Sequence, residues 1–231
     1  MAAKKRLNKS QLREDKFIDT VAHYAGMLRE HQRSIIGGLA VVLILILAVS
    51  WGVRYVNESD EESRVAFSGA LGELDLAIQD NLPDGYEAAL QSFEAIHSQF
   101  SGKTAGRWSI YYTGFCKEQL KNFQGALDDF DAYIASGDPE FELAAQQGRA
   151  SCLHSLGKIR AAAEALETLA ERPGSSEDMV RGWLYRASQI YFTGQYFESA
   201  DNALTKLEAM GAGSYEVKMK RDQAALAALR S

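Results

Sequence analysis

Apolar and polar positions divide this chain into three stretches with different patterns. From Ile35 to Val53 runs IIGGLAVVLILILAVSWGV, 19 residues without a charged side chain. As a helix it spans roughly 28 Å, close to the ~30 Å hydrocarbon core of a bilayer. Before it, Phe17, Val21, Tyr24 and Leu28 recur at spacings of four, three and four, which places them on one face of a helix. After it, segments such as Trp108 to Leu120 and Gln124 to Ala135 keep helical apolar spacing. They are separated by the turn signals Lys121-Asn122, Gly157-Lys158 and Gly194-Gln195.

The third stretch repeats. A bulky residue recurs at Tyr86, Phe123, Ile159 and Tyr196, at intervals of 37, 36 and 37. Nine residues before each stands a small one: Ala77, Gly114, Ala150 and Ala187. Three residues after come Ala89, Ala126, Ala162 and Ser199, and seven after come Phe93, Phe130, Leu166 and Ala203. Gly102, Pro139, Pro173 and Gly211 break the pattern near the end of each unit. Each unit reads as a helical hairpin whose small residues let the two backbones approach. One hairpin cannot bury its apolar stripe alone, but stacked hairpins can. The predicted fold is therefore all-α: a transmembrane helix, then an α-solenoid of about four hairpins. Ser214 to Arg230 matches a further first helix, with Ala224 at the small-residue phase, and is expected to cap the stack.

Charge adds orientation. Residues 1–34 carry eight Lys/Arg against four acids, whereas residues 54–231 carry 17 against 27. Arg29 and Arg33 precede the apolar run, and Trp51 and Tyr55 sit at its far end, where amphipathic rings favour the headgroup level. The basic side is then cytoplasmic and the repeat domain lies across the membrane. The organisation follows as a cytoplasmic segment 1–34 with its amphipathic helix, an anchor 35–56 bounded by Ile35, Val53, Trp51 and Tyr55, and an extracytoplasmic domain 57–231. The amphipathic helix either lies on the inner leaflet or extends the span. Ala48-Val49-Ser50 has signal-peptidase spacing, but 34 residues precede the run and it continues past that point.

The repeat phases, with LKNFQGAL, LGKIRAAAEAL and TGQYFESA, resemble the tetratricopeptide repeat (TPR). Arg149 and Arg186 stand where that repeat usually has leucine. In the N-terminal half, EHQRSIIGG, the span, WGVRYV and SRVAF resemble the YfgM-like family, the ancillary subunit of the SecYEG translocon. That resemblance implies a single-pass bacterial inner-membrane protein whose periplasmic repeats bind the translocon. It also implies work with a periplasmic chaperone or prolyl isomerase on secretory clients. The longer cytoplasmic segment departs from the family pattern. By analogy of phase, the first helices line a protein-binding groove through Trp108, Tyr111 and Phe115, then Gln147, Ser151 and His154, then Leu184, Ser188, Tyr191 and Phe192. A membrane-anchored scaffold for another envelope assembly, and an envelope regulator acting through the cytoplasmic segment, are the alternatives.

Catalytic chemistry has no footing in the sequence. His23, His31, His97 and His154 are scattered, and no Cys/His cluster has metal-ligand spacing, so neither a metal nor a cofactor is expected. Asp128, Asp129 and Asp131 lack the glycine of a calcium loop and read as a solvated face. A domain this acidic repels nucleic acid. Cys116 and Cys152 occupy one phase of consecutive units, roughly 9 to 10 Å apart in stacked helices and beyond the ~7 Å reach of a disulfide. Two free, buried thiols are expected.

Overall fold

The computed structural model describes residues 32–80 and 82–230, without the side chains of 32–40, 53–58 and 230. The stripe from Phe17 to Leu28 lies outside the described residues, as do the side chains of Ile35, Val53 and Tyr55. Among the described residues the regular elements are all helical. They are α1 Gln32–Asp80, α2 Pro83–Gln99, α3 Thr104–Gln119, α4 Phe123–Ala135, α5 Glu142–Ser155, α6 Ile159–Ala170, α7 Glu177–Thr193, α8 Phe197–Ala209 and α9 Glu216–Arg230, with a 3-10 turn at Gly213–Tyr215 before α9.

The chain divides into two compact units, Met1–Ser59 and Asp60–Ser231. In the first, residues 32–59 are helical, and Val41, Leu43, Ile44, Leu47 and Trp51 are each more than half exposed. Among the described residues no helix is long and apolar enough to cross a membrane. Within the apolar run from Ile35 to Val53, the side chains of 35–40 and of 53 lie outside those described.

In the second unit each hairpin closes on the small and bulky residues that repeat. Phe67, Ala70, Leu74 and Ala77 of α1 pack against Tyr86, Ala89, Phe93 and Ile96 of α2, and α3 covers them through Ala105 and Cys116. A larger cluster runs from Ala126 and Phe130 of α4 to Leu226 of α9. Close approach is visible at Gly148, where a Cβ would lie 2.5 Å from Phe130 Cζ. Cys116 and Cys152 are free and fully buried, and burial pushes both thiols up to about 12.

Three of the hairpin turns are built alike. The residue after the helix donates to the carbonyl four back: Leu120 to Cys116, Leu156 to Cys152, and Gly194 to Ile190, at 3.0, 2.9 and 3.2 Å. Two residues later a longer bond returns to the helix: Asn122 to Lys117, Lys158 to Leu153, and Tyr196 to Tyr191, at 2.8, 2.9 and 2.9 Å. Between them one residue is left-handed, namely Lys121, Gly157 and Gln195. The second helices then start at Phe123, Ile159 and Phe197.

The fourth unit therefore departs from the sequence phase by one residue. Its equivalent of Phe123 and Ile159 is Phe197, not Tyr196. Ala200 and Leu204, rather than Ser199, take the buried positions three and seven residues on. Ala187, fully buried, occupies the leucine phase expected for the exposed Arg186. The phase also fails in α9, where Ala224 is exposed and Met219 and Leu226 are the buried anchors.

Candidate protein-binding face

The first helices α3, α5 and α7 carry the candidate residues, and α3 holds a closely packed aromatic group. Tyr111 stacks on Phe141, just before α5, with ring centroids 4.9 Å apart and planes 9° apart. Trp108 meets the same ring edge-on at 5.5 Å. Asp138 ties the group from below. Its Oδ1 accepts from Trp108 Nε1 at 3.4 Å, Tyr133 Oη at 3.1 Å and Glu140 N at 3.1 Å, and its Oδ2 accepts from Arg107 Nε at 3.3 Å. Tyr133 Oη in turn accepts from Phe141 N at 3.0 Å. Burial would raise the Asp138 pKa, but these donors outweigh it and hold the carboxyl below its usual range. Trp108, Tyr111 and Phe115 are each half-buried, so their rings combine a fixed back with an open edge.

On α5, Gln147, Ser151 and His154 are half-buried, and Gln147 Nε2 donates to Leu143 O at 3.4 Å. This stretch separates the aromatic groups of α3 and α7 with a polar one. Beside it, between α4, α5 and α6, lies a cavity of about 400 Å³ lined by Asp131, Ile134, Gln146, Arg149, Ala165 and Thr168. Two of these lining residues are joined, Arg149 Nε donating to Asp131 Oδ1 at 2.6 Å.

On α7 the one-residue shift changes which side chains are presented. Leu184, Ser188 and Tyr191 are buried at 5%, 1% and 3% exposure. Ser188 Oγ donates to Tyr185 O at 2.7 Å, and Tyr191 Oη donates to Glu167 Oε2 at 2.8 Å. These three belong to the core. Phe192 is half-buried and meets Phe197 edge-on at 5.7 Å. The neighbouring phase, Tyr185 and Gln189, takes the half-exposed positions instead. Both bind Asp222 of α9, with Tyr185 Oη at 3.0 Å and Gln189 Nε2 at 2.8 Å from its Oδ2. Burial, then the Asp222 carboxylate, raises the Tyr185 pKa. Phase alone missed Tyr185 and Gln189, although residue 195 as the turn position would have found them. Phe141 and Asp138 lie in the connection between units, and no periodicity reports on them.

Among the described residues no group of three or more His, Cys, Asp or Glu is placed to hold a metal ion. What the arrangement offers is a firm, partly aromatic surface with hydrogen-bonding side chains between the rings.

No protein-family model matches this chain, and no curated protein matches it. Among solved structures it is similar to the nearly identical TPR-like repeats from Podosopora anserina that are named for a kinesin light chain. The two share 16% identity over 62% of this chain and 75% of that one, with a TM-score of 0.48. A point variant of the same repeats gives 16% identity, coverage of 64% and 76%, and a TM-score of 0.49. The hairpins themselves define the class: over the described residues this is an all-α repeat of stacked helical hairpins.

Proposed function

We propose that the chain is a membrane-anchored periplasmic protein-binding module, a translocon-associated adaptor or chaperone that receives secretory chains. It acts by binding, without catalysis of its own. The observation that carries this reading is the pre-set aromatic pair of Trp108 and Tyr111, held by Phe141 and, at Trp108, by Asp138, with the half-buried Phe115 on the same helix. Rings already fixed lose little freedom when an apolar segment docks. The anchor is supported by the 19-residue uncharged run and by the exposed apolar side chains within 41–52, and the topology by Arg29 and Arg33 before it. The SecYEG translocon and a periplasmic chaperone or prolyl isomerase come from the YfgM-like resemblance. The scaffold reading keeps one point in its favour, because so rigid a surface also suits a single folded partner.

The test is gentle detergent extraction of the tagged full-length chain, with mass spectrometry of what co-purifies. It is repeated on Phe115→Ala/Phe192→Ala, which alters half-buried rings at the margin of the two core clusters, with circular dichroism to verify that the variant stays folded. Channel subunits with both proteins, and folding factors or clients reduced in the variant, are expected. A different stoichiometric envelope complex without the channel would sink the adaptor reading in favour of the scaffold. Release of the chain from membranes by alkaline carbonate would sink the anchor.

A further inference from the structure

The first hairpin of the second unit concentrates negative charge. Residues 60–99 hold nine Asp and Glu against one base, Arg64, while residues 100–231 hold 17 acids against 15 bases. Ion pairs take up Asp60, Glu61 and Glu94. Glu62, Asp80, Asp84 and Glu87 stand exposed.

The same hairpin presents apolar surface. Val65, Gly69, Gly72 and Leu76 lie at spacings of four, three and four, on the face of α1 turned away from the buried Phe67, Ala70, Leu74 and Ala77. Val65 and Leu76 are 64% and 60% exposed, and Leu82 beyond the helix is 57% exposed. Where α2 crosses α1, Gly85 comes so near that a Cβ would sit 2.8 Å from Ala77 Cβ. The crossing leaves a cavity of about 240 Å³ lined by Leu76, Leu82 and Ala88, with Asp80 and Asp84 also lining it.

Gly69 and Gly72 sharpen the point. Each is exposed in the middle of a helix, where glycine is unfavourable, and a Cβ on either would meet nothing within 4 Å. The hairpin's own packing does not require them. Two bare turns of backbone beside Val65 and Leu76 do allow another helix to come close.

We propose that this face docks a cationic amphipathic helix of a partner polypeptide. Its apolar stripe lies on Val65, Gly69, Gly72 and Leu76, and its Lys and Arg side chains reach Glu62, Asp80, Asp84 and Glu87. Charge selects this occupant. A second copy would oppose the same excess of acid to itself, and a phosphate-bearing surface would be repelled. The face is separate from the aromatic surface of α3 and does not depend on the translocon reading.

The test uses the full-length chain in zwitterionic nanodiscs, with empty nanodiscs as the background. The probe is a fluorescent 18-residue helical peptide of Leu on one face and Lys on the other, beside a counterpart with Glu for Lys. Only the Lys peptide is expected to bind above background. Asp80→Asn/Asp84→Asn/Glu87→Gln should weaken it about tenfold. Gly69→Ala/Gly72→Ala should weaken it similarly while raising the thermal midpoint of the protein, since alanine suits the helix and blocks the approach. Binding no better than to empty nanodiscs, or equal affinity in wild type and both variants, would overturn the proposal. So would a dimer of the chain that Leu76→Gln dissociates.

Discussion

Gln195 holds in the fourth hairpin the left-handed backbone that Gly157 holds in the third, with φ of 62° and 74°, while the adjacent Gly194 has φ −86°. The glycine visible in the sequence is thus displaced by one from the position that needs its conformational freedom. Gly194 serves packing instead, since a Cβ there would lie 2.4 Å from Ile159 Cγ2. Lys121 carries the same strain in the second hairpin, at φ 60°. A side chain in this region costs about 1 kcal/mol. Gln195→Gly and Lys121→Gly should each stabilise the protein by up to that amount, and Gly157→Ala should destabilise it by a similar amount. Urea titration followed by circular dichroism reads all three.

Asp138 organises the aromatic group with one carboxylate, and its two oxygens are not equivalent. Oδ1 accepts from Trp108, Tyr133 and Glu140 N, and Oδ2 from Arg107. Asparagine can keep the first set, so Asp138→Asn should cost about 1 kcal/mol, whereas Asp138→Ala leaves buried donors unmet and should cost about 2 to 3 kcal/mol. Because the folded carboxyl titrates below its unfolded value, its contribution is present above the ordinary carboxylate pKa and is lost as pH falls through the lowered one. The stability gap between wild type and Asp138→Asn should therefore close on acidification. A gap independent of pH between neutral and strongly acid conditions would contradict this role.

Gly148 and Phe130 share one space. With Cζ only 2.5 Å from where a Cβ would be, and Phe130 1% exposed, the ring has little room to move. Gly148→Ala should cost about 2 kcal/mol by overpacking. Phe130→Leu in the same chain removes the obstructing ring edge, so the double variant should lose less than the two single costs combined. A double-mutant cycle in denaturant measures the coupling.

The two thiols give a prediction at the alkaline end. Their folded pKa values, about 12, lie above the ordinary 9.0. The folded state therefore keeps protons that the unfolded state releases, and the stability this provides is complete below pH ~9 and lost as pH rises towards 12. Cys116→Ala/Cys152→Ala should flatten that alkaline decline. At neutral pH a thiol reagent should label both cysteines of the denatured, unreduced chain and neither in the native protein within the same time. A chain that needs reduction before labelling would show a bridge that the fold does not contain.

Helix type, the number of hairpins and the small-to-bulky packing code follow from the sequence alone, because each depends on a spacing repeated over a full unit. Ala77, Ala89 and Phe93 in the first hairpin, and Gly114, Ala126 and Phe130 in the second, are buried where the repeat places them. The register of the fourth hairpin was beyond that logic. There the chain offers neighbouring pairs, Ala187-Ser188, Tyr196-Phe197, Ser199-Ala200 and Ala203-Leu204, so a shift of one residue leaves the pattern almost equally satisfied. Packing chose between them: with the turn at Gln195, Ala200 and Leu204 fill the core, and Leu184, Ser188 and Tyr191 go inward with them. That single shift put Tyr185, Gln189 and Phe192 at the half-buried positions, the first two against Asp222 of α9. Phe141 and Asp138 likewise needed the tertiary structure, since a loop acquires its contacts only once the helices on either side have set its path. Periodicity determined which elements form, and steric fit at one turn decided which side chains of the fourth unit enter the core and which stay half-exposed.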